Sequence, residues 1–405
     1  MRFRLLFRLV PALLCLSFFL PHLSAAAQYQ NGPDSPVGFL ARSDVFPVGI
    51  WLQDPVNAAA FKAIGINFYA GLWKGPTERQ LRQLQTARMA VFSPQNEEGL
   101  KVTYNDIIAG WIMPDEPDNA QLKEGGGFGP PVPPEQVISL YEQMKARDPS
   151  RPILLNLGQG VAWDGWYGRG TRSNHPEDYE TYVKAGDILS FDIYPVTHRD
   201  SGVRGRLDYV ARGVDRLLKW SGGTKPVWSV IEASRVSNAE RMPDGEDVRR
   251  LVWLSIIHGA RGIIYFVHQF SPRFVEASLL ENDRLRQDIT RINTRLQSLA
   301  AVLNSDALPD LVTVEPDAMT LPGSIVAISR RDECDLYIFA GSISRFPATA
   351  RFRLPEPVPA DRADVLDEGR VVRLEKGQFE DEFGPYAVHL YKIPHGGAGC
   401  LQTRK

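Results

Sequence analysis

Two glutamates each follow an apolar run directly, and a pair of carboxyl groups can supply both a general acid and a nucleophile. Glu116 comes after residues 107–113, and Pro114 and Pro117 on either side of it end helix and strand ladder alike. Glu232 ends a second apolar run. If both runs are buried strands of one parallel barrel, both carboxyls lie at the strand ends where barrels do chemistry. An Asp-Glu-Pro-Asp stretch is also typical of a solvated surface turn, so the surrounding elements must decide.

Those elements alternate between strand and helix along the chain. Short apolar runs of strand length are followed by stretches whose apolar residues recur at the helical period. We expect strands at residues 46–52, 66–73, 89–93, 107–113, 152–157, 188–194, 226–231 and 262–267, and helices at 55–64, 77–87, 135–147, 176–185, 207–220, 246–258 and 283–303. This alternation predicts a (β/α)8 TIM barrel, a fold of about 250 residues. The competing architecture is an open doubly wound sheet, but no glycine-rich phosphate turn follows the first strand.

The amino-terminal residues differ in kind from this alternating part. Arg2, Arg4 and Arg8 precede an apolar run that ends at the three alanines 25–27. This pattern is typical of a cleavable signal peptide. We therefore expect residues 1–27 to be removed and the protein to be secreted or periplasmic. No later stretch is apolar over the roughly 18 residues that a membrane span needs.

The rest of the sequence divides into two parts that differ in their pattern of apolar residues. Residues 28–306 carry the alternating pattern of the barrel, whereas residues 307–405 consist of short strand-like runs separated by turn signals. We expect the second part to be a small C-terminal all-β, sandwich-like domain. Its Cys334 and Cys400 are the only cysteines after residue 27. A disulfide between them would tie the tail to this domain in an oxidising compartment, and two independent thiols are the alternative.

Composition and missing motifs exclude several classes of protein. A formal net charge of -2 over 405 residues gives no basic face for nucleic acid or for an anionic membrane. The sequence has no His-Glu-x-x-His zinc pattern, no Gly-x-Ser-x-Gly elbow and no Walker-type loop. We therefore expect no metal and no organic cofactor.

Counting strands places Glu116 after the fourth and Glu232 after the seventh, and in this the chain resembles the clan A glycoside hydrolases. In these barrels the acid/base glutamate follows strand four and the nucleophile follows strand seven. The resemblance implies a retaining hydrolysis of O-glycosidic bonds in a poly- or oligosaccharide, with Glu116 as acid/base and Glu232 as nucleophile, their carboxyls about 5 to 5.5 Å apart. Asp115 departs from the family, which usually has asparagine there. An ionised aspartate cannot donate a hydrogen bond and adds negative charge beside Glu116.

Other residues at strand ends are candidates for binding the sugar. Tyr194 resembles the tyrosine that hydrogen-bonds the nucleophile in these enzymes, with a core tyrosine as the alternative. Asp192, two residues earlier, would point the same way as Tyr194, either to substrate or to a buried arginine. Further candidates for hydroxyl binding or ring stacking are Trp51, Trp73, Gln95, Asn156 and His268. Aromatic residues in the loop after the fifth strand, Trp163, Trp166 and Tyr167, are typical platforms for sugar rings.

Two alternatives stay open at this point. One is a non-catalytic carbohydrate-binding barrel, which is distinguished by whether the carboxyls of Glu116 and Glu232 share one open pocket. The other is an inverting glycosidase that uses Asp115 or Asp192, with carboxyls about 6.5 to 9.5 Å apart. In each case the expected partner is a carbohydrate.

Overall fold

Eight parallel strands close into a barrel in sequence order. The computed structural model describes residues 36–317, 319–354 and 358–396, so the expected signal peptide and Cys400 lie outside the described residues. The strands are β1 (Val48–Trp51), β2 (Phe68–Ala70), β3 (Ala90–Ser93), β4 (Ile108–Ile112), β5 (Ile153–Leu157), β6 (Ile188–Asp192), β7 (Val227–Glu232) and β8 (Gly262–Phe266). β8 pairs with β1, Ile264 lying opposite Gly49. The predicted barrel is confirmed.

Helices cover the outside of the barrel. They are α1 (Ala58–Ala63), α2 (Glu78–Ala87), α3 (Pro134–Arg147), α4 (Tyr179–Tyr182), α5 (Asp208–Trp220), α6 (Gly245–Ile257), α7 (Asp283–Ser298) and α8 (Ala300–Asn304). The helix expected over 176–185 consists of the single turn α4 between two 3-10 turns. The helix expected over 283–303 is divided at Leu299, whose φ of -106° and ψ of 6° leave the helical range. Among the described residues, no helix is both long enough and apolar enough to cross a membrane.

The barrel interior is filled by aromatic side chains at its lower end. The rings of Phe68, Phe92 and Trp228 lie 4.9 to 5.7 Å apart between centroids. Gly110 makes room for them, since a Cβ there would lie 2.2 Å from the Phe92 ring. The 3-10 helix Pro36–Leu40 covers the amino-terminal end, where Phe39 stacks on Phe68 at 5.5 Å. The amino-terminal end of the barrel interior is therefore packed with apolar side chains.

Two antiparallel sheets follow the barrel. Their strands are β9 (Thr313–Pro316), β10 (Ile325–Arg331), β11 (Asp335–Ser342), β12 (Ala348–Arg353), β13 (Arg362–Val365), β14 (Arg370–Arg373), β15 (Gln378–Phe383) and β16 (Val388–Pro394). The sheet orders are β10-β11-β16-β13-β14 and β15-β12-β9. This confirms the expected all-β fold. Phe339 of β11 packs on Trp253 of α6 at 5.3 Å, which joins the sheets to the barrel. Cys334 is disulfide-bonded.

Candidate active site

A cavity of about 720 Å³ opens at the carboxyl ends of the barrel strands. It is bordered by residues at or just after the carboxyl ends of β1, β2, β4, β5, β6, β7 and β8, which is where a barrel of this type carries its chemistry. Its polar lining is mostly acidic and amide, and its apolar lining is mostly aromatic. The lining residues are Trp51, Leu52, Gln53, Asp54, Trp73, Arg79, Gln80, Asp115, Glu116, Asn156, Asp192, Tyr194, Val230, Val236, Phe266, His268, Phe270, Phe274 and Glu276.

Three of the five carboxyl groups that line this cavity interact with one another. Asp115 and Glu116 come from the turn after β4, and Asp192 is the last residue of β6. The turn holds Glu116 at a φ of 42°, in the left-handed region that residues other than glycine seldom adopt. The Glu116 N–H donates to the carbonyl of Asn156 at 3.2 Å, which helps to hold this conformation. Backbone strain of this kind is found preferentially where function requires a particular side-chain position.

Each acid of the β4 turn is held by an asparagine. Asn119 Nδ2 donates to Glu116 Oε2 at 2.6 Å, and Asn156 Nδ2 donates to Asp115 Oδ1 at 2.9 Å. Asn156 is itself oriented by the Ser190 hydroxyl, which donates to its Oδ1 at 2.7 Å. The predicted position of Asn156 in the site is therefore observed, with a carboxylate as its partner.

The three acids differ in how easily they ionise. Burial and then the negative charge of Asp192 raise the pKa of Asp115 to about 7, and the same causes, in the same order, raise the pKa of Glu116 well above its usual range. Solvent reaches Asp115 through the cavity, although protein atoms surround it closely. Burial also raises the pKa of Asp192, but hydrogen bonds with Glu116 and with Tyr194 oppose this shift. The negative charge of Asp192 therefore acts to keep a proton on Glu116 and on Asp115.

Glu232 lies outside the cavity, which corrects the expectation that it faces Glu116. Its side chain has no exposed surface, and its two carboxylate oxygens accept hydrogen bonds from the backbone N–H groups of Val196 and Thr197, at 2.6 and 3.0 Å. The loop after β6 thus covers the carboxylate and keeps it out of the cavity. Burial raises the pKa of Glu232 to about 7. Burial and then the negative charge of Asp192 raise the pKa of Tyr194 well above its usual range, so Tyr194 lies beside Asp192.

The other predicted residues divide between cavity and scaffold. Trp51, Trp73 and His268 line the cavity, where Trp51 is buried and Trp73 is 67% exposed. His268 Nε2 lies 3.1 Å from Gln53 Nε2, an obligate donor, so this ring nitrogen accepts and the imidazole is neutral. Burial lowers the His268 pKa further. The expectation for Gln95 is wrong: its Nε2 donates to Met144 O near the end of α3, at 3.1 Å, so it binds a helix terminus and does not line the cavity.

The aromatic loop after β5 does not line the cavity either. Trp163, Trp166 and Tyr167 pack on one another, with ring centroids 4.5 to 6.3 Å apart. Most of their surface is therefore used within the loop, and only Tyr167, 66% exposed, offers a free ring.

Sequence reasoning missed several residues of the site. Gln53 and Asp54 directly follow β1, the position by which the other candidates were found, but the adjoining Asp-Pro pair reads as a helix start. Phe270, Phe274 and Glu276 lie in the loop after β8, where no pattern marks a single residue. Among the described residues, no group of three or more His, Cys, Asp or Glu side chains is placed to hold a metal ion.

The fold and this cavity define a (β/α)8 barrel with an acidic site at the carboxyl ends of its strands. No protein-family model matches the sequence, and no curated protein is similar to it. Among solved structures, the chain is similar to AmyP in complex with maltotriose, with a TM-score of 0.50 at 10% identity over 90% of this chain and 99% of that one. It is also similar to a candidate alpha-galactosidase from Bacteroides fragilis, with a TM-score of 0.50 at 9% identity over 87% of this chain and 80% of that one. At such identities the likeness is one of fold.

Proposed function

We propose that this chain is a glycoside hydrolase in which Glu116 is the general acid and Asp192 the carboxylate that attacks the anomeric carbon. The observation that carries the proposal is the hydrogen-bonded pair of Glu116 and Asp192 in one cavity with aromatic walls. Two carboxyls whose surroundings separate their pKa values can take the acid role and the nucleophile role. The likeness in fold to a structure that holds maltotriose supports a carbohydrate as the substrate class.

The reaction would proceed in two displacements. In the first, ionised Asp192 forms an ester bond with the anomeric carbon, the bond from that carbon to the glycosidic oxygen breaks, and the leaving oxygen takes the proton of Glu116. In the second, Glu116 accepts a proton from water, the water oxygen bonds to the anomeric carbon, and Asp192 leaves as a carboxylate. Tyr194 would stabilise the charge on Asp192, and Asp115 would accept a hydrogen bond from a sugar hydroxyl.

The contact between Glu116 and Asp192 favours retention over inversion. An inverting enzyme needs carboxyls about 6.5 to 9.5 Å apart so that a water fits between substrate and base. A hydrogen-bonded pair leaves no such space. Retaining enzymes place the two carboxyls closer together, at roughly 5 to 5.5 Å. In the proposed Michaelis complex the glycosidic oxygen therefore replaces Asp192 as the hydrogen-bond partner of Glu116.

This close contact also favours a second candidate function, a barrel that binds carbohydrate without cleaving it. If substrate does not separate the two carboxyls, the cavity and its aromatic walls still offer a binding site. Binding of an oligosaccharide without release of product would support this second function and contradict the first.

The test is a screen against plant and microbial polysaccharides, followed by three variants on whichever substrate is cleaved. Glu116→Gln should lower kcat by about 10²- to 10⁴-fold, the usual contribution of a general acid. Asp192→Asn should abolish turnover, and NMR of the first-formed product should show retained anomeric configuration. Glu232→Gln is the matched control, a glutamate at the same end of the barrel, and should keep wild-type activity. Loss of activity in folded Glu232→Gln with an active Asp192→Asn would overturn the assignment.

We also propose that the protein is exported. The support is the arginine-rich start and the apolar run before residues 25–27. Amino-terminal sequencing of the protein recovered outside the cytoplasm should begin directly after residue 27, and recovery of an intact amino terminus would contradict export by cleavage.

A further inference from the structure

Two successive hydrogen bonds lead from the loop after β5 to Glu116. Trp166 Nε1 donates to Asn119 Oδ1 at 2.8 Å, and Asn119 Nδ2 donates to Glu116 Oε2 at 2.6 Å. We propose that Trp166 and Asn119 are positioning residues that determine which carboxyl oxygen of Glu116 carries the catalytic proton. The proposal rests on the proposed role of Glu116 as general acid.

The direction of both hydrogen bonds follows from the chemistry of the indole. The Nε1–H of Trp166 can only donate, so the oxygen of the Asn119 amide must face it. The amide nitrogen of Asn119 then faces Glu116, and because this nitrogen only donates, Oε2 of Glu116 must accept. A protonated Glu116 therefore carries its hydrogen on Oε1. An indole in the aromatic loop thus selects the oxygen from which the proton is delivered.

Close packing holds the two residues in this arrangement. A Cβ at Gly158 would lie 2.8 Å from Asn119 Nδ2, and a Cβ at Gly168 would lie 2.3 Å from the Trp166 ring. Both contacts are shorter than real Cβ atoms show, so each position admits its neighbour only because it is glycine. The Ala120 N–H donates to Gly168 O at 2.8 Å and joins the β4 turn to the aromatic loop. The loop and the turn therefore form one unit around the Asn119 amide.

Without the indole N–H, nothing in this pair of bonds distinguishes the two ends of the Asn119 amide. Rotation by half a turn would present Oδ1 to Glu116, and Oε2 would then hold the proton in order to donate to it. The acid would remain protonated, but its proton would lie on the wrong oxygen. Such a change should affect only reactions that need proton delivery to the leaving group.

The experiment compares two glycosides of the sugar released in the polysaccharide screen. The methyl glycoside needs a proton on its leaving oxygen, whereas the 2,4-dinitrophenyl glycoside departs without one. Trp166→Phe keeps a ring and removes the N–H, and Asn119→Ala removes the amide. We expect each to lower kcat/KM for the methyl glycoside by about 10-fold or more, a fraction of the 10²- to 10⁴-fold contribution of a general acid, with about twofold change for the dinitrophenyl glycoside. Thermal unfolding of both variants confirms that they fold.

The matched control is Trp163→Phe, since this ring lies 5.9 Å from that of Trp166 in the same loop and does not bond with Asn119. It should leave the ratio between the two substrates at the wild-type value. Equal losses on both glycosides in Trp166→Phe and Asn119→Ala would overturn the proposal, because a merely structural role affects both reactions alike. Glu116→Gln tests the acid role of Glu116 apart from the positioning role of Trp166 and Asn119. If this variant also loses activity equally on both glycosides, the assignment of Glu116 as the acid is wrong.

Discussion

The substitution Glu232→Gln isolates the energetics of one buried carboxyl. In the folded protein the pKa of Glu232 is raised from 4.5 to about 7 by burial, against the opposing effect of hydrogen bonds from Val196 and Thr197. An acid whose pKa is raised on folding binds more protons in the folded state, so its contribution to stability is greatest below the unfolded pKa and is lost as pH rises. Each pH unit between the two values corresponds to about 1.4 kcal/mol. From 4.5 to about 7 the loss amounts to about 3 kcal/mol.

Glutamine is neutral at every pH, so the variant lacks this titration. Its amide nitrogen faces one of the two backbone N–H groups and lowers stability by an amount that does not change with pH. The informative quantity is therefore the free energy of unfolding of the wild type minus that of Glu232→Gln, measured by urea denaturation over a series of pH values. We expect this difference to fall by about 3 kcal/mol as pH rises, mostly between pH 5 and pH 8.

A difference that stays constant over this range would refute the reasoning, since Glu232 would then titrate alike in both states. A difference that grows with pH would mean that folding lowers the pKa of Glu232, because the two N–H donors would then outweigh burial.

Further predictions concern the acid cluster and the barrel interior. Asp192→Asn removes the negative charge beside Asp115, so the pKa of Asp115 should fall below its value of about 7, as followed by ¹³C NMR of labelled aspartate; an unchanged titration would contradict the coupling. Gly110→Ala should destabilise the fold by about 1 to 3 kcal/mol in urea denaturation, because its Cβ would overlap the Phe92 ring. Gly384→Ala, whose Cβ would meet no atom within 4 Å, is the control and should change stability little. Trp73→Ala should raise KM for an oligosaccharide more than it changes kcat, since an exposed ring at the cavity edge contributes to binding.

The sequence predicted the barrel well because buried parallel strands are apolar on both faces and therefore stand out. Each of the eight predicted strands overlaps an observed one, and the strand-end rule placed Glu116, Asp192 and Asn156 in the cavity. That rule gives the end of the barrel on which a residue lies, but not the direction in which its side chain turns. Glu232 shows the limit, since only the folded loop after β6 supplies the two N–H groups that turn its carboxylate away.

The C-terminal strands show a second limit. The stretch of residues 370–383 mixes charged residues with a strand pattern, which is typical of solvated hairpins. In the structure, Phe379 and Phe383 of β15 pack on Phe352, with centroids 4.7 and 6.1 Å from its ring. Alternate charged residues obscured an apolar face, which becomes visible only when β12 of the same sheet and Tyr391 of β16 in the other sheet pack against it.

The contact between the sheets and helix α6 has a consequence for how this protein can be divided. A Cβ at Gly341 of β11 would lie 2.9 Å from Leu254 and 3.1 Å from Ile257, so the strand backbone rests directly on the helix. Trp253 completes this apolar surface against Phe339. A barrel produced without the sheets would expose this apolar face of α6 to water, and such an exposed apolar patch promotes aggregation. The two parts are therefore not interchangeable modules, and any shortened form of the protein needs a redesigned α6 surface.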